Sequence, residues 1–199
     1  MDRRVSGRPS EARSRLLGTA SRIFYAEGLH SVGVDRIITE AGTTRATFYR
    51  HFPGKEDLVV SYLEEADRAL RERCAAARES AGSAEDAVRA IAADIAGDIR
   101  RAGFRGCAFL NAAAEYPDPA HPVHRRILEH REWFLGAVTD LLGQVGDGPG
   151  GPAGRHFVML RDGAMVAGCL SEPDAVCTTF LDGVEGLLWS RTVAGAPRG

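Results

Sequence analysis

Apolar residues in this chain recur every three or four positions in segment after segment, the spacing of amphipathic helices, and no stretch makes a convincing strand. The first segment starts at a Ser10 cap and carries Leu16, Leu17, Ala20, Ile23 and Phe24 on one face, with Arg13, Arg15 and Arg22 on the other, until Gly28 ends it. The second puts Val34, Ile37, Ile38 and Ala41 along one side. Gly42 then supplies a tight turn, and Thr44 caps a third segment that buries Phe48 and Phe52 and leaves Arg45, Thr47 and Arg50 outside. Two short amphipathic segments split by a glycine form a helix-turn-helix pattern over residues 37–52.

Longer segments follow. Pro53-Gly54 breaks the chain, and Lys55-Glu56-Asp57 opens a helix to about Glu79 whose apolar residues fall in two rows, Leu58/Tyr62/Ala69 and Val59/Leu63/Ala66/Leu70. Two rows call for two partners, so this helix is expected to link a small head to the body behind it. Ser83 caps a helix with Ala87, Ile91, Ile95 and Ile99 on one face, and a short, nearly uncharged helix from Cys107 to Glu115 belongs inside. The prolines between Tyr116 and Pro122 exclude a helix there. A long one resumes from Val123 to Leu142 with Ile127, Phe134, Val138 and Leu141 inward. Residues 146–154, rich in Gly and Pro, read as a mobile loop.

The last two helices, about 155–170 and 175–193, are unusually apolar for a chain's end. Phe157, Leu160, Gly163, Ala167, Val176, Phe180, Gly183, Val184 and Leu187 are expected to form a homodimer interface, the small residues allowing close approach. The fold class is all-α: a basic arm and three-helix head over residues 1–54, and a larger helical body over 55–199.

Composition changes this picture little, and charge changes it more. The 44% hydrophobic and 26% charged residues are those of an ordinary globular protein. No membrane span or signal-peptide core appears, which points to a cytoplasmic protein with no membrane partner. The formal net charge of -2 hides an asymmetry: ten Lys/Arg face five Asp/Glu in residues 1–55, against 15 basic and 22 acidic residues in the remainder. A basic head on an acidic body suits a polyanion partner for the head alone. Residues 1–9, with Arg3, Arg4 and Arg8, read as a flexible basic arm. Cys74, Cys107, Cys169 and Cys177 have neither the spacing of a zinc or redox motif nor the density of a disulfide scaffold, and read as reduced, packed thiols.

The first 56 residues resemble the TetR/AcrR family of bacterial transcription regulators. The resemblance rests on an ordered block: Phe24-Tyr25-Ala26-Glu27-Gly28, then Ile37 to Gly42, then Thr43-Thr44-Arg45-Ala46-Thr47-Phe48-Tyr49-Arg50-His51-Phe52, then Lys55-Glu56-Asp57-Leu58. It implies that Thr44, Arg45 and Thr47 face base edges and phosphates while Tyr49, His51 and Lys55 hold the DNA backbone, with Thr43 and Arg50 in the same DNA-facing set. The chemistry agrees: arginine can bond guanine bidentately in the major groove, threonine methyls can meet thymine, and phenol, imidazole and ammonium suit phosphates. One position departs from the family pattern. Gly33 stands where a hydroxyl usually caps the second helix and reaches a phosphate, leaving Arg36 or the basic arm to compensate.

For the body the resemblance implies only an all-helical ligand-binding domain that dimerises through its last two helices. A cavity lined by Tyr62, Phe104, Cys107, Leu110, Trp133, Phe134 and Met165, with Asn111 and Glu115 as polar handles, would suit a mid-sized, largely apolar effector. An ionised, buried Glu115 would make that effector cationic. No catalytic, cofactor or metal site stands out: nothing matches a phosphate loop or a nucleophile elbow, and prolines interrupt the only metal-like set, Asp118, His121, His124 and His130. The expectation is a homodimeric repressor that binds a double-stranded, pseudo-palindromic operator and is released by its effector. A regulator switched by oxidation of Cys107 or Cys169 is one alternative; an enzyme or carrier using Cys107 with His121 or His124 is a more distant one.

Overall fold

Side-chain caps open some of this protein's helices and not others. The coordinates, a computed structural model, describe residues 10–146 and 148–194, and hold nine α-helices and no strand among them. The arm at residues 1–9 lies outside the described residues. Helix α1 (Glu11–Glu27) opens on Ser10, whose Oγ accepts from the Arg13 amide at 3.2 Å. Helix α2 (Val34–Glu40) opens on Gly33 with no side-chain cap. Gly42 then turns the chain at φ 59°, a left-handed conformation that glycine adopts without strain. Thr44 caps α3 (Arg45–His51), accepting from the Thr47 amide at 3.2 Å.

These three helices form the head. Leu16, Ile23, Ile37, Phe48 and Phe52 fill its centre, each at most 1% exposed. Losing either phenylalanine ring would cost about 3–5 kcal/mol. Helix α4 (Lys55–Ser80) packs on α1 near its start and on the body farther along, as its two apolar rows require. The body adds α5 (Ala84–Ile99), α6 (Ala108–Glu115), α7 (Pro122–Gly143), α8 (Gly150–Ala167) and α9 (Pro173–Ala194). Helix α7 lies against α4 and α8, while α9 lies against α8 and α5. One continuous apolar core runs from Leu16 in the head to Leu188 in α9.

Two expectations about the end of the chain fail. The Gly/Pro-rich run is not a loop throughout, because α8 begins at Gly150. Gly150 and Gly154 press against Thr139 of α7, and a Cβ at either position would collide with it, so these glycines serve helix packing rather than a break. Helix α8 then stops at Ala167 instead of Leu170, with the chain turning through residues 168–171.

The nine expected interface residues also separate. Phe157, Phe180, Val184 and Leu187 are buried inside the chain, and Gly183 accommodates Leu160 of the neighbouring helix. Phe180 reaches the base of an open apolar groove of about 590 Å³ between α8 and α9, which Leu160, Gly163, Ala167 and Val176 also line. Met159, which lines this groove, is 73% exposed, and Leu170 at 79% and Trp189 at 68% are also exposed apolar side chains of this end of the chain.

Candidate functional site

The head presents one face of α3 to solvent. Thr44, Arg45, Tyr49 and Arg50 are exposed there, and Thr43, Thr47 and His51 are half-buried beside them. Tyr49 is held edge-on to the buried Phe48 ring, with centroids 5.2 Å apart, which fixes its direction while its hydroxyl end stays in water. Thr44 Oγ donates to Thr47 Oγ at 3.0 Å, and His51 Nε2 lies 3.1 Å from Ser10 Oγ. Arg45 pairs with the exposed Asp35 of α2. Arg36 does not stand ready to replace the missing cap at Gly33. Its guanidinium holds both carboxylate oxygens of Glu27 and also Glu40, at 2.8 Å, so it ties α1 to α2.

Beneath the head lies a cavity of about 530 Å³, a size that holds a drug-sized molecule. Its walls come from α1 (Ser21, Arg22, Tyr25), from α4 (Tyr62 to Arg73), from the 101–109 stretch, and from Phe134, Arg161 and Met165. Five expected residues meet there: Tyr62, Phe104, Cys107, Phe134 and Met165. Four do not. Leu110 packs into the core on another side of α6, and Asn111 is exposed, donating to the Arg105 carbonyl at 2.8 Å. Trp133 turns away under the Arg71 guanidinium, 4.1 Å from its ring.

Glu115 is the fourth, and its place is informative. Its carboxylate accepts from the Leu29 amide at 2.8 Å and the His30 amide at 2.5 Å, in the turn between α1 and α2. The His30 ring lies 2.8 Å from the Glu115 carbonyl, and Lys55 Nζ donates to the His30 carbonyl at 3.4 Å. Burial draws the Lys55 ammonium below the usual lysine range, and the Glu115 charge offsets part of that shift. Glu115 is therefore a joint between α6 and the head, not a handle for a cation.

A second joint sits beside the cavity. The Tyr25 hydroxyl of α1 donates to the Gly106 carbonyl at 3.0 Å and accepts from the Arg105 amide at 2.9 Å. Burial raises its pKa. Burial raises that of Tyr62 as well, so both phenols stay neutral in the cavity wall.

The residue that pattern reading missed is Arg161. It is 6% exposed, lines the cavity, and donates from Nη1 to Asp162 at 2.8 Å and from Nη2 to Cys107 Sγ at 3.2 Å. Its Nε–H has no acceptor. The signal was present in the sequence as a charged pair, Arg161-Asp162, inside an otherwise apolar stretch. Cys74, Cys107 and Cys177 are buried and Cys169 is exposed, all as free thiols.

The histidines near the prolines are engaged in structure. His121 caps α7, accepting from the Val123 amide at 3.2 Å, and His124 Nδ1 lies 2.6 Å from the Tyr116 carbonyl. His130 stacks flat on Phe109 at 3.5 Å and bonds Asp67 at 2.6 Å. Among the described residues no cluster of metal-ligating side chains forms.

Comparison with known proteins adds the family. A profile described as bacterial regulatory proteins, tetR family, matches residues 16–62. The crystal structure of a TetR-family transcriptional regulator from Streptomyces coelicolor is 66% identical, covers 92% of this chain and 97% of its own, and superposes with a TM-score of 0.91. This chain belongs to the TetR family of transcriptional regulators. A TetR-family regulator from Agrobacterium tumefaciens shares the fold at 20% identity, with a TM-score of 0.79 over 93% of this chain and 100% of its own. The curated Bacillus subtilis regulator LmrA is 29% identical over 82 residues, which are 41% of this chain and 44% of LmrA. Likeness to that relative thus spans less than half of either chain, whereas likeness to the Streptomyces regulator covers 92% of this one. As a TetR-family regulator the chain is a DNA-binding protein, and no helix among its described residues is long and apolar enough to cross a membrane.

Proposed function

We propose that this protein is a homodimeric repressor whose two heads dock in successive major grooves of a pseudo-palindromic operator and are released when an effector fills the cavity. The head of residues 1–54 acts as the reading unit and the body from residue 55 as the sensing and dimerising unit. Arg45, with Thr44 and Thr47, reads base edges. Tyr49, Arg50, His51 and Lys55 hold phosphates, and Thr43 flanks them. Arg36 is left out, because its guanidinium is committed to Glu27 and Glu40. Thiol oxidation is the less favoured trigger, since Cys107 is buried and the exposed Cys169 faces the Met165 carbonyl at 3.6 Å rather than an activating cation.

The observation that carries this reading is that one cavity is walled by both α1 and α4 and by the stretch entering α6. A molecule expanding that cavity pushes the loop held by Tyr25 and the helix whose far end, Glu115, holds the α1–α2 turn. Both joints move the head relative to α4, and because binding is reciprocal, affinity for effector becomes lost affinity for DNA. The groove between α8 and α9, with Met159 exposed along it, is the surface for a second copy.

The test uses the full chain on duplex DNA from upstream of its own gene. A sequence-specific shift, a dimer by sedimentation that Gly163→Arg dissociates, and release by a cavity-filling compound are the expected results. Glu115→Ala should leave compound binding intact and blunt release. A monomer that binds operator with full affinity, or release unaltered by Glu115→Ala, would contradict the dimer and the joint respectively.

A further inference from the structure

The cavity's polar wall is cationic. Four arginines and a single carboxylate line it. That carboxylate, Asp98, is shared by Arg73 at 2.8 Å and Arg101 at 2.8 Å; Arg73 also pairs with Asp94 at 3.0 Å, so these two cations meet two carboxylates, and Arg22 is paired with Glu40 at 2.7 Å. Arg161 differs. Its acid partner, Asp162, also serves Arg131 at 2.7 Å, so two guanidiniums share one carboxylate and one positive charge is left over. Arginine does not shed its proton in proteins, so that charge cannot be removed by titration.

The second observation is α6. Its N-cap, Cys107, makes no side-chain cap bond, so the first amides of the helix lack the acceptor that capping would supply. Gly106, Cys107, Ala108 and Phe109 at that terminus all line the cavity. The Arg161 Nη2 bond to Cys107 Sγ puts the guanidinium at the same terminus. An open helix start and a buried arginine with an unsatisfied Nε–H together make an anion site at one end of an apolar chamber.

Resting on the effector reading above, we infer that the cavity takes an amphipathic organic acid, its single carboxylate at Arg161 and the α6 N-terminus and its apolar body against Tyr62, Phe104, Phe134 and Met165. One surplus charge matches a monoanion; a dianionic phosphate would overshoot it. The anion would also pull on the start of the helix whose other end, Glu115, grips the head.

The probes are cinnamate, indoleacetate, naphthylacetate and decanoate, each beside its primary amide and the corresponding amine. The readouts are the rise in the protein's Tm, which needs no DNA, and release from operator. Acids of this set should stabilise the protein and their amides and amines should not. Arg161→Met should weaken acid binding about tenfold to a hundredfold, as expected for a lost charge-assisted hydrogen bond in a dry site, and Arg161→Lys should restore part of it. Because a buried substitution can unfold the chain, each variant is first melted without ligand. As a second route, Phe104→Trp should narrow the chamber and discriminate against the bulkier acids without touching the arginine.

Stabilisation by amides or amines equal to that by acids, undiminished acid binding in a folded Arg161→Met, or no response to any acid of the set overturns the inference. Acids that stabilise yet leave DNA bound would uphold the anion site and sink the effector reading. Release by neutral compounds alone would do the reverse.

Discussion

Head and body both hold arginines at their working surfaces, and they hold them in opposite ways. In the head, Arg45 pairs with Asp35 while both side chains remain largely in water, at 65% and 74% exposure. Such a pair is worth about 0–1 kcal/mol and exchanges partners readily, which is what a reader of phosphates and base edges requires. In the body, Arg126 is half-buried against the buried Asp67, and Arg161 is buried against Asp162 and Cys107. Those charges are fixed in place, and removing one member strands the others in a poor solvent for charge. The same residue type is a mobile contact in one region and a rigid fitting in the other, and burial alone makes the difference.

The sharpest way to break this comparison is to delete the body's central carboxylate. Asp67 accepts from Arg71 at 2.7 Å, meets the His130 ring at 2.6 Å and pairs with Arg126. Burial pushes its pKa up, but the bonds from His130, Arg71 and Arg126 together bring it below the usual aspartate value. Asp67→Ala should lower stability by about 3 kcal/mol, toward the low end for a broken buried pair because Arg71 remains partly in water. Urea titration checks it, and a loss below roughly 1 kcal/mol would mean the cluster is no more rigid than the head's surface pairs.

Acid should act on the same cluster. Burial pulls the His130 pKa down to about 4 from 6.5, although the Asp67 bond works against that shift. Arg71, Arg126 and Arg161 are the other charges around it. The folded state then binds fewer protons than the unfolded one between these values, so stability rises with pH across that window and is lost as pH falls from 6.5 toward 4. Asp67, also depressed in the folded state, adds loss at still lower pH. At about 1.4 kcal/mol for each pKa unit the full His130 shift is worth roughly 3–4 kcal/mol, lost completely only near pH 4. Denaturation midpoints measured across that range should slope upward with pH, and His130→Gln should flatten them.

The contrast also explains what was readable from residues alone. The head is built from contacts close in sequence: Ile37 and Ile38 one helix before Phe48, a turn glycine between them, and Ser10 and Thr44 each capping the amide three residues on. Periodicity and capping report such contacts directly, and the head's three helices could be located from them. The body's site depends on partners far apart. Glu115 meets Leu29 and His30 from 86 and 85 residues away, and Arg161 meets Cys107 across 54. No local pattern encodes those meetings, so Glu115 read as a ligand handle when it is a joint, and Arg161 went unread. Gly150 and Gly154 misled for a related reason: glycine marks a turn or a close approach, and only the neighbouring Thr139 tells which.

Back in the head, the predictions concern exchange rather than rigidity. Arg45→Ala should leave folding intact and reduce preference for operator over random duplex, by about 1–3 kcal/mol at the base pair it reads. Tyr49→Ala should instead weaken binding to both duplexes alike. Competition shift assays at fixed salt separate the two, and equal losses on operator and random DNA for Arg45→Ala would remove it from the readers.

The smallest effect should come from Asp35→Asn. Its carboxylate holds Arg45 in the free protein, and DNA must displace that hold before the guanidinium reaches a base. Neutralising Asp35 therefore leaves the melting temperature nearly unchanged while modestly tightening operator binding, and the gain should shrink as salt screens the pair. The corresponding change in the body, at Asp67, does the opposite, because it takes the shared carboxylate from Arg71, Arg126 and the buried His130 at once. A clear drop in melting temperature for Asp35→Asn would show that the head's pair is structural after all, and that Arg45 is held in place as firmly as the arginines of the body.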